Sequence, residues 1–157
     1  MPLGTGTAAE HDDGGGDTDE DRSFLRAGQA GARAGNLLHV SLTPEDFVEG
    51  LVQDVPEVRP IVEEHFSDHG ELLLHLLTAR VRDRAISAFD QGDQDLAGRI
   101  VIVFDAGLRQ GDDRVENAVS VSFVEDTPLW DSARSEFISS WPRALKDEAE
   151  RQRNWRY

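Results

Sequence analysis

The sequence predicts an all-α protein, with about five to six antiparallel helices packed as a bundle or as a short stack of helical hairpins. Two observations predict this fold class. From about position 43 onward, apolar side chains return every three or four places, which is the period of an amphipathic helix. Short Gly, Pro or Asp turns separate these segments, and connections of that length place successive helices side by side in opposite directions.

The first helix is predicted to begin at Thr43, because the residue types of a helix start occur there in order. Thr43 can cap the helix, and Pro44 suits the first helical position. The carboxylates of Glu45 and Asp46 favour the positive end of the helix dipole. Pro56 should close the segment, because a proline inside a helix removes a backbone hydrogen bond.

Two more helices follow, and a glycine is placed to end each of them. Gly70 should end the second helix in a left-handed cap, and Gly92 should end the third. The apolar stripe of the second helix consists of Val58, Ile61, Val62, His65 and Phe66, and that of the third consists of Leu73, Leu77, Val81, Ala85 and Phe89.

Residues 97–126 contain two runs that also fit strands, because "IVIVF" is short and β-branched and "VSVSFV" alternates. Longer windows favour two helices joined at "QGDD", with Asp112 and Asp113 supplying a cap and first-turn charge. Ile102 and Val121 lie off the helical stripes, which predicts that this central pair is covered on more than one side. The two stripes consist of Leu96, Ile100, Val103, Phe104 and Leu108, and of Val115, Ala118, Val119, Ser122 and Phe123.

The last segment also has a helical stripe, and Pro142 should kink this helix or restart it. The chain ends in a mixture of basic and aromatic residues. Acidic neighbours at 147, 148 and 150 favour an amphipathic helix end over a nucleic-acid contact. The stripe consists of Trp130, Ala133, Phe137, Trp141 and Leu145.

Composition divides the chain into a tail, residues 1–36, and a single helical domain, residues 37–157. The tail holds eight of the 14 glycines, and its segment "EHDDGGGDTDED" has seven acidic residues and no basic one. Such a segment buries too little apolar surface to offset the entropy lost on ordering, so disorder is predicted. The helical domain has 24 acidic and 13 basic residues, which gives a net charge of −11.

This charge narrows the classes of partner. An acidic surface repels phosphate backbones, so we expect no nucleic-acid partner, and it suits a basic protein partner. Solubility alone also explains such a charge. No apolar stretch is long enough to span a membrane and no secretory signal is visible, which predicts a cytoplasmic protein without a membrane contact. The sequence has no cysteine, which excludes disulfides and thiolate chemistry.

Two pieces of the sequence, "PEVRPIVEEHFSDHGELLLHLL" and "VENAVSVSFVED", carry a resemblance at this separation. They resemble an uncharacterised bacterial family, domain of unknown function 7674, over roughly residues 44–130. The matching features are the helix with His65, the "GEL-x-x-H" step from Gly70 to His75, and the "V-x-N-x-x-x-V-S-F-V-E" run ending at Glu125. Members look like small helical proteins. The resemblance therefore implies a helical fold and no catalytic residues.

A metal site is one possible function of the histidines. His65 and His69 are four residues apart on the second helix, and Glu71 and His75 are four apart farther on. Helical bundles build metal sites from inward carboxylates and imidazoles, so these four residues are candidate ligands of a divalent metal. However, "HFSDH" lacks the glutamate of the metalloprotease motif. A hydrogen-bonded boundary histidine and an ordinary Glu–His helix pair explain the same pattern.

Three polar residues of the fifth predicted helix are candidates for contact with a partner or ligand: Glu116, Asn117 and Glu125. If that helix is buried, these groups need hydrogen-bond partners, and structural partners are the simpler explanation. No serine lies in a nucleophile elbow, and the glycine runs lack the lysine of a phosphate loop, so no catalytic residues and no cofactor are predicted.

These observations favour a non-enzymatic module that binds another protein, in the manner of an immunity protein or antitoxin. The alternative is a metal-binding protein or metal-dependent enzyme that uses His65, His69, Glu71 and His75.

Overall fold

Seven α-helices make up most of the part of the chain that the structure, a computed structural model, describes, residues 40–155. The all-α class is therefore confirmed. The predicted tail, residues 1–36, lies outside the described residues. The helices are α1 (Pro44–Asp54), α2 (Arg59–His69), α3 (Leu74–Asp90), α4 (Gln94–Gln110), α5 (Asp113–Ala118), α6 (Ser135–Ser139) and α7 (Arg143–Trp155).

Three shorter elements connect these helices. Two are 3₁₀ turns, Pro56–Val58 before α2 and Ser132–Arg134 before α6. The third is a π-helix, Val119–Glu125, which continues α5 without a break. A π-helix is wider than an α-helix, and it occurs mostly as a single turn at functional sites. Here it turns three consecutive residues, Ser122, Phe123 and Val124, toward buried surroundings.

The helix starts and stops follow the local sequence. Thr43 caps α1: its side chain accepts a hydrogen bond from the Asp46 N–H at 3.2 Å, and the Asp46 carboxylate accepts one from the Thr43 N–H at 3.4 Å. Gly70 ends α2 with φ at 72°, a conformation that glycine adopts without a Cβ clash. The Asp112 side chain accepts hydrogen bonds from two N–H groups of α5.

The helical interpretation of residues 97–126 is confirmed. Both strand-like runs are helical, and all five residues of the second predicted stripe, Val115 to Phe123, are buried. The central position of α4 is also borne out, because α4 packs against α1, α3, α5, α7 and the π-helix. The reason given for it was wrong, since Ile102 is 58% exposed and Val121 is 36% exposed. These two side chains face solvent on the outer sides of their helices.

The C-terminal segment accounts for the higher number of helices. Pro142 restarts the helix, so α6 and α7 replace one long predicted helix. Two positions of the predicted stripe, Trp130 and Ala133, are exposed, and that part of the prediction was wrong. Phe137, Trp141 and Leu145 are buried as expected.

A row of aromatic rings forms the centre of the core. Phe104 of α4 stacks on Phe123 of the π-helix with ring centroids 4.5 Å apart, and its edge meets Phe47 of α1 at 5.3 Å. Trp141 contacts Phe123 at 5.7 Å and Phe137 at 5.6 Å. Such aromatic pairs add packing energy to the burial of their surface. The row thereby joins α1, α4, the π-helix and α6. Among residues 40–155, no helix is long and apolar enough to cross a membrane.

Candidate functional site

A concave surface lies between the start of α1, the α2–α3 connection and α5, with a volume of about 710 Å³. We call it the leucine groove, because Leu72, Leu73, Leu74 and Leu76 line it. The first three are partly buried, and Leu76 is 49% exposed. A connection between helices usually presents polar residues to water, so two leucines in this connection, Leu72 and Leu73, followed by Leu74 and Leu76 in the first turn of the next helix, are unusual.

Local sequence explains why these leucines are presented. Gly70 ends α2, and α3 begins only at Leu74, so Glu71 to Leu73 form the connection itself. The backbone of this connection is held by His65, whose Nε2 accepts a hydrogen bond from the Leu73 N–H at 3.0 Å. One side chain of α2 therefore fixes the position of the groove lining.

His65 is suited to this structural role because it is buried and neutral. Its relative exposure is 0%, and burial lowers the pKa of its imidazole below the usual value. The neighbouring His69, whose ring centroid lies 4.8 Å away, and Arg80 lower that pKa further, whereas Asp68 raises it. Since Nε2 accepts a hydrogen bond, the proton of the neutral ring is on Nδ1.

A second groove lies between α1 and α2, with a volume of about 610 Å³. It shares Glu45 and Leu72 with the leucine groove, so the two are adjacent. We call it the α1–α2 groove. Its apolar side chains include Val52 and Phe66, and Phe66 is 41% exposed. The apolar surface thus extends on both sides of Leu72.

Polar groups stand at the rim of the leucine groove. The His75 Nδ1 forms a hydrogen bond with the Ser122 hydroxyl at 2.8 Å, and its Nε2 lies 3.4 Å from the Asn117 amide nitrogen. Arg82 donates a hydrogen bond to the Ser122 carbonyl at 3.0 Å, which joins α3 to the π-helix. The His75 ring is therefore held from both of its nitrogen atoms, and it faces the groove in one orientation.

The Ser122, His75 and Asn117 side chains have the order of a nucleophile, a base and an orienting group. Ser122, however, is only 5% exposed, and its hydroxyl is used in the hydrogen bond with His75. The arrangement acts as support for the His75 ring. Sequence reasoning missed this contact because 47 positions separate the two residues, and only the packing of α3 against the π-helix brings them together.

The structure does not bring the four predicted metal ligands together, although the rings of His65 and His69 lie 4.8 Å apart. His65 is buried with its Nε2 occupied by the Leu73 N–H, and His69 and Glu71 are exposed near the end of α2. His75 is held by Ser122 and Asn117. Within residues 40–155, no group of three or more His, Cys, Asp or Glu side chains is arranged to hold a metal ion. The divalent-metal prediction therefore depends on sequence spacing alone.

The three polar candidates of the fifth predicted helix are all exposed, so burial does not oblige them to find partners. Asn117 lines the leucine groove beside His75. Glu125 lies elsewhere, at a cavity between the π-helix and the end of α7. Glu116 lines a third surface with residues of α7. The structure thus brings only Asn117 into the groove.

Comparison with known proteins identifies the family. The model of the family described as "Domain of unknown function (DUF7674)" matches residues 48–156. The chain belongs to this family. The DUF7674 match includes the C-terminal helix α7, which the sequence resemblance over residues 44–130 did not cover. It also contains the four leucines of the leucine groove, His75 and Asn117, but not Glu45. No curated protein and no solved structure matches the chain.

Proposed function

We propose that this DUF7674 protein is a non-enzymatic interaction module that binds an apolar segment of another protein, flanked by basic residues, in the leucine groove. The observation that carries this proposal is that four leucines, in the α2–α3 connection and the first turn of α3, line one groove whose backbone His65 holds at Leu73. Contiguous exposed apolar surface is costly in a monomer, and it commonly marks a protein contact.

The apolar part of the partner is inferred from the shape and lining of the two grooves. Leu76 and Phe66 expose about half of their surfaces, 49% and 41%, on either side of the connection. A partner segment with apolar side chains at helical spacing could place one side chain in each groove, as amphipathic helices do in apolar clefts. Burial of these side chains would supply the main part of the binding free energy.

The basic part of the partner is inferred from charge. The two grooves are lined by three acidic residues, Glu45, Glu49 and Asp113, and by two basic residues, Arg59 and Arg114. The guanidinium of Arg114 is already near the Asp112 carboxylate at 3.7 Å. The helical domain as a whole has a net charge of −11. Such a field accelerates association with a cationic partner and selects against acidic ones.

An immunity or antitoxin-like inhibitor is the class of module that we favour. An inhibitor of this kind acts by covering a surface of its target and needs no catalytic residues. Its small size and acidic surface support this assignment. A bacterial, cytoplasmic setting is part of the same proposal, because arginine outnumbers lysine fifteen to one, as is usual for a GC-rich bacterial genome.

A displayed library of random peptides, selected against the full chain, tests the groove. We expect enrichment of peptides with apolar residues at helical spacing and flanking Lys or Arg. Leu76→Asp should abolish their binding. Ile102→Asp is the matched control, because Ile102 is 58% exposed on α4, outside both grooves. Peptides without this pattern, or equal binding to both variants, would contradict the proposal.

Solution mass measurement separates a foreign partner from a second copy of this chain. We expect a monomer at micromolar concentration. A dimer that only Leu76→Asp dissociates would mean that a second copy occupies the groove, and the proposed partner would then be wrong.

The metal-binding alternative stays a prediction, and no observation of the structure favours it. Thermal unfolding with and without added Zn²⁺ tests it directly. The interaction module should show the same Tm in both conditions. A rise in Tm that the double variant His65→Ala, His69→Ala removes would support the metal site instead.

A further inference from the structure

A cavity of about 320 Å³, distinct from both grooves, lies where the π-helix meets the last turns of α7. We call it the α7 cavity. Its lining is polar and charged, with one aromatic ring, and thus differs from the apolar grooves. The π-helix contributes Ser120 and Glu125, and α7 contributes Glu148, Arg151, Gln152 and Trp155.

The Glu148 carboxylate is the buried charge of this cavity, since the residue is 5% exposed. Its Oε1 accepts hydrogen bonds from the Ser120 hydroxyl at 2.6 Å and from the Gln152 amide at 2.7 Å. A buried carboxylate costs free energy unless its charge is paired. Core packing alone would be satisfied by an apolar side chain at this position.

Two acceptor atoms of the cavity offer positions for a donor. Glu148 Oε2 is buried and is paired with Arg151, whose side chain is 71% exposed. Gln152 Oε1 is also buried and receives no hydrogen bond from residues 40–155. Both atoms accept hydrogen bonds, so a ligand that replaces Arg151 at Glu148 and reaches Gln152 must donate them.

Charge and aromatic surface define the ligand more closely. The buried carboxylate of Glu148 makes the cavity favourable for a cation. Trp155 adds an indole ring that is 91% exposed, and cations bind the faces of such rings. A guanidinium is planar, donates up to five hydrogen bonds and stacks on aromatic rings, which meets all of these requirements.

We propose that the α7 cavity is a binding site for a guanidinium cation, which pairs with Glu148, donates to Gln152 and stacks on Trp155. The chain's own Arg151 already pairs its guanidinium with Glu148 Oε2, which is the pairing proposed for the ligand. Because the Arg151 side chain is largely exposed, an incoming guanidinium displaces it at little cost. This site is independent of the leucine groove and of the function proposed for that groove.

Calorimetric titration of the full chain with Nα-acetyl-arginine amide tests the proposal. Nα-acetyl-citrulline amide is the matched probe, because it replaces the guanidinium by a neutral urea of nearly the same shape. We expect saturable binding of the arginine probe and at least about tenfold weaker binding of the citrulline probe, since charge-assisted hydrogen bonds are the stronger ones. Equal binding of the two probes, or no binding of either, would overturn the proposal.

Variants of the cavity residues test whether the arginine probe binds in the α7 cavity. Trp155→Ala should weaken the arginine probe about two- to fivefold, the usual range for an exposed cation–π contact. Trp130→Ala is the control, because Trp130 is also exposed and does not line the α7 cavity. Arg151→Ala should tighten binding by up to about fivefold, because it removes the competing internal cation.

Glu148→Gln should reduce binding by about tenfold or more. If this variant does not fold, as circular dichroism would show, Trp155→Ala and Arg151→Ala decide the question. An unchanged affinity in both of these variants means that the probe binds elsewhere, and the assigned site is then wrong.

The guanidinium could belong to a free small molecule or to an arginine side chain of a partner protein. Agmatine and an arginine-containing peptide distinguish these sources. Tighter binding of the peptide indicates a partner's arginine, and equal or tighter binding of agmatine indicates a free guanidinium compound. If neither binds, the proposal is wrong.

Discussion

The Asp105 carboxylate of α4 accepts a hydrogen bond from the Leu145 N–H of α7 at 3.1 Å, and thereby caps a helix 40 residues away in sequence. Pro142, which precedes α7, has no side-chain oxygen that could cap this helix. Asp105, on the neighbouring helix α4, supplies the capping oxygen instead, and its side chain is only 6% exposed. Its other oxygen accepts a hydrogen bond from Arg109 at 2.9 Å. One buried carboxylate thus fixes the position of α7 on the central helix.

Replacement of Asp105 should therefore destabilise the protein. Asp105→Ala removes the cap and leaves the Leu145 N–H buried without a partner, which costs roughly 2–3 kcal/mol of unfolding free energy. Urea unfolding measures the loss. Arg109→Ala is the control, because it removes only the largely exposed partner of the same pair and should cost less than about 1 kcal/mol. Equal losses in the two variants would argue against the capping role.

The contact between His65 and the Leu73 N–H predicts a dependence of stability on pH. The pKa of His65 in the folded protein is lowered, first by burial and then by His69 and Arg80. The unfolded chain consequently binds a proton more readily, with a pKa near 6.5. The contribution of the neutral ring is complete above that pH and is lost as pH falls below it toward the lower folded value.

Urea unfolding from pH 8 to pH 5 tests this expectation. The wild-type protein should lose stability below about pH 6.5. His65→Phe, which keeps an aromatic ring without a titrating group, should be less stable at pH 8 but should show a shallower decline. His69→Gln removes a neighbour that lowers the pKa of His65, so this variant should also show a shallower decline, though a smaller change than His65→Phe. An identical pH profile for the wild type and His65→Phe would remove His65 as the cause.

The sequence is sufficient to predict the helices because capping residues and apolar period agree. Thr43, Gly70 and Asp112 end or begin helices as their residue types require. The π-helix at Val119–Glu125 was missed, because Val119, Ser122 and Phe123 also fit the α-helical period, and only the additional burial of Val124 reflects the wider turn. Ile102 gave a wrong expectation of coverage on a second side of the helix. Single apolar side chains are common on exposed faces, so the position of Ile102 did not show that another element covers it.

The candidate site was less accessible from sequence. The histidines and Asn117 were recognised as notable, but their partners were not. Contacts such as His75 with Ser122, or Glu148 with Ser120, join residues 47 and 28 positions apart, and helical period does not encode which helices become neighbours. Of the leucines that line the groove, only Leu73 was assigned to a predicted apolar stripe. Because α3 begins only at Leu74, Leu72 and Leu73 lie in the connection and are only partly buried.

A surface ion pair between the start of α2 and α4 provides a second test by pH. Arg99 donates two hydrogen bonds to the Glu57 carboxylate, both at 2.8 Å, and these lower the pKa of Glu57 to about 2. Since the folded pKa lies below the model value of 4.5, the stabilisation is present above pH 4.5 and is lost as pH falls toward 2. Asp95, at 2.9 Å from Arg99, remains as a second partner.

Acid unfolding of Glu57→Gln checks this pair. The variant should be less stable than the wild type at pH 6, and the difference should shrink as the pH is lowered toward 2, where the wild-type carboxylate is also neutral. High salt should reduce the difference at pH 6, because both side chains are partly exposed to solvent. A constant difference across the whole pH range would instead indicate a loss of packing.

Two glycines of α4 should respond to alanine in opposite ways. A Cβ at Gly107 would lie 2.8 Å from a ring carbon of Phe47, and that ring is fixed in the core against Phe104. Gly107→Ala should therefore separate α1 from α4 and destabilise the protein by about 1–3 kcal/mol. A Cβ at Gly98 meets no atom within 4 Å. Gly98→Ala should stabilise by about 0.5–1 kcal/mol, because alanine loses less backbone entropy in a helix.

Thermal and urea unfolding of Gly107→Ala and Gly98→Ala, each compared with the wild type, test these opposite changes in stability. Both changes add one methyl group to the same helix, so helix propensity raises stability equally in each. The difference between them reports the close approach of α1 to α4 at Phe47. If Gly107→Ala is as stable as Gly98→Ala, then α1 does not pack on α4 as closely as the structure has it. The wall of the leucine groove that α1 provides would then be placed incorrectly as well.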